Sequence, residues 1–223
     1  MNETVIRACT GILLFALLFV CILYTPAWAY ISALLLMTAY IYWKEMPPLA
    51  RAPWYRSNRI LKLILYPFVP IIYLIQLHLI SPRLTFILIV TVFAQDTLSY
   101  IVGKLWGKYQ LTEISPRKSW EGTIAGIITA ILVLWSFFRI WAHYAPVSFI
   151  IFALEFAIVS LVGDLFESWL KRRARVKDSG DILPGHGGFL DRFDSIFFAG
   201  IFLYIAITTV LPLYCPQQLF LFS

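Results

Sequence analysis

Long apolar stretches separated by short polar segments constrain this chain more than any other feature of its sequence. A helix needs about 20 mostly apolar residues to cross a bilayer. Of the 223 residues, 61% are hydrophobic and 13% are charged, whereas a soluble domain is about half apolar and a quarter charged. The sequence therefore predicts an all-α polytopic membrane protein with about seven transmembrane helices. The predicted spans are 6–24, 27–43, 61–80, 84–103, 122–141, 147–170 and 195–214.

Basic residues fall on one side of the membrane in this seven-span arrangement. Of the 18 Lys and Arg, 16 lie at the N-terminus or within the segments 44–62, 104–118 and 171–192. Arg83 and Arg139 fall on the other side. Because cytoplasmic loops carry an excess of Lys and Arg, we expect the N-terminus and these three segments in the cytoplasm and the C-terminus outside.

The N-terminal region, residues 1–90, contains the first three spans and few motifs. Its third span carries Pro67 and Pro70, which predict a kink. Residues 44–59 are expected to form a basic, proline-bearing loop. The tripeptide at 27–29, Ala-Trp-Ala, resembles a signal-peptide cleavage site, but the apolar run continues after it and favours an uncleaved span.

Charged residues inside the predicted spans of the second region, residues 91–223, indicate a functional site. A charge at the centre of a spanning helix costs about 2.5–3.5 kcal/mol. Asp96 lies in the fourth span, and several polar residues share one face at the end of the sixth. A surface pair at i,i+4 is an equally good interpretation of Glu167 and Lys171, whereas function is favoured for Asp164. The residues of this face are Ser160, Asp164, Glu167, Ser168 and Lys171.

The segment 171–194 has the composition of a phosphate–metal site. A basic run is followed by the non-helical stretch 184–188, Pro-Gly-His-Gly-Gly, and then by Asp191 and Asp194 at i,i+3 spacing. Carboxylates hold Mg²⁺, Lys and Arg neutralise phosphate, and glycines let backbone N–H groups approach an anion. Two aspartates at a helix start oppose a bare anion, which favours a metal. For His186, phosphate binding, acid catalysis and a structural hydrogen bond all stay open.

A second cytoplasmic segment, 115–122, precedes the fifth span and reads Ser-Pro-Arg-Lys-Ser-Trp-Glu-Gly. A turn followed by a helix cap is a sufficient structural interpretation. Substrate binding is equally compatible with its two basic residues, its hydroxyls and its aromatic ring.

At these residues the sequence strongly resembles the phosphatidate cytidylyltransferase family, also called CDP-diacylglycerol synthases. The 27-residue family signature runs here without a departure. Three further blocks are similar to the family, so that the resemblance covers about residues 96–195. The signature positions are Ser168, Lys171, Arg172, Lys177, Asp178, Gly180, Pro184, His186, Gly187, Gly188, Asp191, Arg192 and Asp194. The further blocks are Asp96 with Tyr100 and Gly103, the segment 115–122, and Gly163-Asp164 with Glu167-Ser168.

The resemblance implies that CTP and phosphatidate give CDP-diacylglycerol and pyrophosphate, with Mg²⁺ and a monovalent cation such as K⁺. It implies a multi-pass protein of the cell (inner) membrane with a cytoplasmic active site, a homodimer, and no nucleic-acid partner. Asp164 and Asp191 would hold metal, supported by Asp194. The catalytic residues would be Asp164, Asp191, Asp194, Lys171 and His186. The substrate-binding residues would be Arg172, Lys177, Arg192, Ser115, Lys118, Trp120, Ser168 and Asp96.

Three other classes of membrane protein fit less well. CDP-alcohol phosphatidyltransferases need an Asp-Gly dipeptide, which this chain lacks. CTP-dependent polyprenol or phytol kinases lack the unbroken His-Gly-Gly…Asp-Arg…Asp signature. Transporters place polar groups near the bilayer midplane between repeated halves, whereas here the charges gather at one face and no repeat is visible.

Overall fold

The computed structural model describes residues 19–20, 22–51, 53, 64–141, 149–182 and 187–210. These residues form an all-helical structure, in which the one antiparallel pairing is an isolated bridge between Gln110 and Ser119. The α-helices are α1 (Ala27–Tyr40), α2 (Met46–Leu49), α3 (Val69–Ile80), α4 (Pro82–Trp106), α5 (Trp120–Trp141), α6 (Phe149–Ala174) and α7 (Leu190–Ile205). Wider π-helical turns occupy Ile41–Glu45 and Ala206–Val210, and the segment Ile64–Phe68 contains a kink.

Three of these helices are long and apolar enough to cross a membrane, namely α4, α5 and α6. They coincide with the predicted fourth, fifth and sixth spans. A shorter apolar helix covers Tyr66–Ile80, within the predicted third span. The predicted first span, 6–24, lies mostly outside the described residues, so the count of seven spans and the orientation stay predictions.

The structure tests two expectations for the N-terminal region, the kink in the third span and the loop over 44–59. The kink in the third span occurs at Tyr66, whose φ of −140° and ψ of 121° are not helical, because the residue before a proline avoids the helical region. Pro70 lies near the start of α3, where proline is tolerated. The expectation of a loop over 44–59 is wrong at its start, since Ile41–Glu45 is a π-helical turn and α2 follows it.

Glycines set the distances between the longest helices. At Gly126 of α5, an added Cβ would collide with the Ser99 hydroxyl and would lie 2.9 Å from the Gln95 carbonyl oxygen, both on α4. At Gly200 of α7, it would lie 2.7 Å from Leu74 of α3. The backbones of α4 and α5 therefore approach closely, and Gly200 leaves room on α7 for the Leu74 side chain of α3. The site described below takes its residues from α4, α6, α7 and the segment before α5.

Candidate active site

Helix α7 crosses α6 at Gly163, which brings acidic residues of the two helices together. A Cβ atom at position 163 would lie 2.7 Å from the Asp194 carbonyl oxygen and 3.0 Å from Phe198 Cβ. A side chain there would push the helices apart, so the crossing requires glycine. Asp164 follows Gly163 in the chain and therefore lies beside the first turn of α7.

Three carboxylates from three helices form the centre of the site. Asp96 of α4, Asp164 of α6 and Asp194 of α7 lie within range of one another's charge. Asp194 is buried, Asp164 is half-buried and Asp96 is exposed. Lys118 forms an ion pair with Asp164, and Arg192 adds positive charge near Asp96. Because like charges held together repel, this carboxylate cluster attracts cations.

Lys171 lies about two turns beyond Asp164 on α6, between two other carboxylates. Its Nζ atom is 3.1 Å from Glu167 Oε1 and 2.6 Å from Asp191 Oδ1. The Glu167 side chain is fully buried, and the Lys171 side chain is 11% exposed. Tyr66 donates a hydrogen bond of 3.3 Å to Glu167 Oε2. The interpretation of Glu167 and Lys171 as a surface pair is therefore wrong, because both belong to a buried network.

Asp191 organises the loop that precedes α7. Its Oδ2 atom accepts hydrogen bonds from the backbone N–H and the hydroxyl of Ser179, and from the backbone N–H of Gly188, each 2.9 Å long. Burial alone would raise the pKa of Asp191, but the Lys171 ammonium and the Gly188 N–H outweigh it and lower that pKa. Every contact in this set stabilises the charged carboxylate.

Glu45 completes the same loop from the first half of the chain. It is fully buried, and its carboxylate accepts hydrogen bonds of 2.8 Å from the backbone N–H groups of Phe189 and Leu190. The Ser179 hydroxyl lies 3.3 Å from Glu45 Oε2. Burial raises the pKa of Glu45, and the two N–H donors oppose that rise. Sequence reasoning missed this residue, because it lies within 44–59, where the sequence predicts a basic loop.

The segment before α5 folds back on itself and delivers Lys118 to the carboxylate cluster. The Leu111 N–H bonds to the Lys118 carbonyl at 2.8 Å, and the Trp120 N–H bonds to the Tyr109 carbonyl at 2.9 Å. Ser119 caps α5, because its hydroxyl accepts the Gly122 N–H at 3.1 Å. The predicted turn and helix cap are confirmed, and Lys118 also contacts the site.

The remaining predicted residues fall into three groups. Ser168 donates a 3.4 Å hydrogen bond to Asp164 Oδ1, and Arg172 contacts the Ile114 carbonyl of the segment before α5 at 3.4 Å. Ser115 is half-buried, whereas Trp120 and Lys177 are exposed near the ends of α5 and α6. His186 lies outside the described residues.

The carboxylates fit the kind of magnesium site that uses few protein ligands. Mg²⁺ is usually held by one or two carboxylates together with substrate phosphates and water. Within the described ranges, no three His, Cys, Asp or Glu side chains converge to surround an ion by themselves. Asp164 and Asp194 suit the smaller ligand set. Asp191 is less available, because its two oxygens accept four hydrogen bonds, from Lys171, from the N–H and hydroxyl of Ser179 and from the Gly188 N–H. Asp164 accepts one hydrogen bond from Ser168 beside its ion pair with Lys118.

This arrangement defines a class of protein, a helical membrane protein whose site combines carboxylates with basic side chains. Comparison with known proteins agrees with that class. The model of the cytidylyltransferase family matches residues 6–210. A phosphatidate cytidylyltransferase of Rickettsia conorii is 32% identical over 216 residues, covering 90% of this chain and 89% of the relative. The chain belongs to the cytidylyltransferase family.

Other relatives match over about half of the chain. The phosphatidate cytidylyltransferase of Bacillus subtilis is 48% identical over 119 residues, covering 52% of this chain and 44% of its own length. Phosphatidate cytidylyltransferase 4, chloroplastic, of Arabidopsis thaliana is 46% identical over 125 residues, covering 55% and 32%. The matched part thus spans less than half the length of these two curated relatives.

Proposed function

We propose that this protein transfers a cytidylyl group from CTP to phosphatidate, giving CDP-diacylglycerol and pyrophosphate. The observation that carries this proposal is the carboxylate cluster of Asp96, Asp164 and Asp194, with Lys118 and Arg192 beside it. Membership of the family and the names of the relatives support the same reaction. A cluster of both charge signs suits a reaction in which phosphate groups meet near a metal ion.

The chemistry requires positioning more than proton transfer. The lipid phosphate oxygen attacks the α-phosphorus of CTP in line, a new P–O bond forms, and the bond to pyrophosphate breaks. An ionised phosphate monoester is already a nucleophile, so the chain's task is to align two anions and neutralise their charge. In this proposal Lys118 and Arg192 contact phosphate oxygens, and Arg172 and Lys177 draw the nucleotide toward the site.

Mg²⁺ is the cofactor that we propose for this site, with Asp164 and Asp194 as its protein ligands and Asp96 close by. When bound, it would supply positive charge to phosphate oxygens. Lys118, now paired with Asp164, would then be released to bind phosphate. Asp191 serves mainly to order the loop before α7. A monovalent cation such as K⁺ belongs to the same proposal.

The position of the cluster in the fold suits a lipid substrate. Lys118 precedes α5, Asp164 and Lys171 lie toward the end of α6, and Asp194 lies in the first turn of α7. These residues therefore gather at one end of the helices, which in a membrane protein is the depth of the lipid headgroups. We propose that this end faces the cytoplasm, where CTP is available, and that the protein lies in the cell membrane.

The test is to incubate the purified protein with labelled CTP, Mg²⁺ and phosphatidate in detergent. We expect CDP-lipid and pyrophosphate in equal amounts. Asp164→Asn should lower the rate about a hundredfold or more, as loss of a charge-stabilising group does. Glu155→Asn is the matched control, because Glu155 is exposed on the same helix, away from the cluster.

Two results would contradict the proposal. Release of CDP with phosphorylation of an added membrane alcohol would show a kinase instead. A full rate for Asp164→Asn would place the reaction away from the carboxylate cluster.

A further inference from the structure

We infer that Glu45 is a positioning residue for the active site, holding the start of α7 from a helix in the first half of the chain. The inference rests on the proposed function, and it adds a residue outside the region 91–223 that contains every predicted site residue. Glu45 ends the π-helical turn Ile41–Glu45, and its side chain is completely buried. A carboxylate is kept in such a place only when it is hydrogen-bonded.

The contacts of Glu45 are those of a helix cap supplied from a distance. The first N–H groups of a helix have no partner within that helix, and the residue before α7, Phe189, offers no side-chain acceptor. Glu45 Oε1 accepts the Phe189 N–H and Oε2 accepts the Leu190 N–H, both at 2.8 Å. A negative charge at this end of a helix is also favoured by the helix dipole.

The loop around Glu45 is shaped to receive its carboxylate. A Cβ atom at Gly188 would lie 2.6 Å from Glu45 Oε1, and one at Gly180 would lie 3.1 Å from the same atom. The Tyr40 ring packs edge-on against the Phe189 ring, with centroids 5.6 Å apart. The two glycines therefore let the loop approach the Glu45 carboxylate closely, and the aromatic contact packs the loop against the helix that precedes Glu45.

The same contacts connect Glu45 to the charged residues of the site. The Ser179 hydroxyl lies between Glu45 Oε2, at 3.3 Å, and Asp191 Oδ2, at 2.9 Å. It has a single proton to donate, so the two carboxylates share one donor. Asp191 in turn contacts Lys171. Because α7 begins at Leu190, fixing its first N–H groups also fixes the turn that carries Asp191, Arg192 and Asp194.

Glu45→Gln tests the inference with little change in shape. Both Glu45 oxygens accept hydrogen bonds, so an amide keeps one acceptor and turns an NH₂ group toward a backbone N–H. We expect kcat to fall about tenfold to a hundredfold, with the KM for CTP changed less than about threefold, because misplaced groups slow the chemical step. Hydrogen exchange of the amides at 187–194 should speed up, while that of α5 stays unchanged. Glu155→Gln is the matched control, expected to match the parent protein in both readouts.

A second variant approaches the same contact from the loop. Gly188→Ala places a methyl group against the Ser179 hydroxyl and against Glu45 Oε1 and should reproduce both the fall in kcat and the faster exchange. Ser179 and Glu45 contact each other, so both changes disturb the same set of contacts and the double variant should be little worse than the more damaging single one. Additive effects would contradict the inference.

The remaining outcomes separate this inference from the proposed function. Unchanged kcat and unchanged exchange in Glu45→Gln would overturn the inference. So would a loss of activity that only follows the loss of folded protein on size exclusion. If the parent protein makes no CDP-lipid but Glu45→Gln still frees the amides at 187–194, the positioning of α7 stands and the proposed function fails.

Discussion

At the residue scale, Lys171 is held between Glu167 and Asp191, and little of its side chain reaches the surface. A buried ion pair stabilises a fold little more than well-packed apolar residues of the same volume would. Removing one partner, however, leaves an uncompensated buried charge and destabilises the fold. In this network, loss of the lysine would leave two carboxylates facing each other. We therefore expect the lysine to stabilise the fold, in addition to any contact that it makes with phosphate.

We predict that Lys171→Met lowers the free energy of unfolding by about 3–5 kcal/mol. Thermal or denaturant unfolding in detergent measures this loss. Arg173→Met is the control, since Arg173 is exposed and its guanidinium lies 5.5 Å from the Trp169 ring centre, a contact of about 1 kcal/mol or less. Equal losses in the two variants would show that Lys171 is not a buried partner.

Some residue-scale predictions succeed because helical spacing fixes which side chains are neighbours. On the predicted face of α6, which comprises Ser160, Asp164, Glu167, Ser168 and Lys171, the structure shows the i,i+4 contacts of Asp164 with Ser168 and of Glu167 with Lys171. Glu45 could not be predicted in this way. Its strongest partners are backbone N–H groups 144 and 145 residues away, and backbone groups leave no pattern in the sequence.

At the scale of elements, the packing of α4 against α5 depends on glycines, which have no side chain to hold the helices apart. Gly122 and Gly126 of α5 lie against the backbone and the hydroxyl of Ser99. This contact sets the distance between Asp96, on α4, and Lys118, just before α5. Small residues at such crossings let membrane helices approach closely.

We predict that Gly126→Leu destabilises the protein by about 1–3 kcal/mol, as overpacking does, and lowers CDP-lipid formation by moving α4. Ser136→Leu adds the same side chain at an exposed position of the same helix and should change neither property. Unfolding curves and initial rates for the two variants check this. A Gly126→Leu protein as stable and active as the parent would contradict the close crossing.

The helices themselves were predictable because apolar length is a local property of the sequence. The bounds of α4, α5 and α6 agree with the predicted spans to within a few residues. Helix α7 begins at Leu190, earlier than the predicted start at 195. The helix starts earlier because its charged first turn is stabilised by Glu45 and Lys171, which are distant in sequence and are not visible to a local apolar pattern.

At the scale of the whole molecule, the distribution of basic residues predicts which side of the membrane each end of α4 reaches. Arg83 lies at the start of α4, and Glu113 lies in the segment after it; both are exposed. The two positions should therefore be on opposite sides. The orientation follows from the positive-inside rule.

We predict that, in a chain without its natural cysteines, Arg83→Cys reacts with a membrane-impermeant maleimide in intact cells. Glu113→Cys should react only in inside-out vesicles. The natural Cys9, Cys21 and Cys215 are replaced beforehand, so that each variant has a single thiol. The opposite labelling pattern would place the active site on the outer side of the membrane and would contradict the proposal that it receives CTP from the cytoplasm.

The contact between Glu45 and the loop before α7 also bears on how small a working version of this protein could be. A fragment starting at residue 91 would keep every residue that the family signature marks. It would also leave the Phe189 and Leu190 N–H groups without their acceptor, and α7 without the apolar surface of α3 at Gly200. We therefore expect that the second half, expressed alone, does not assemble its site, and that co-expression of residues 1–90 as a separate chain restores it.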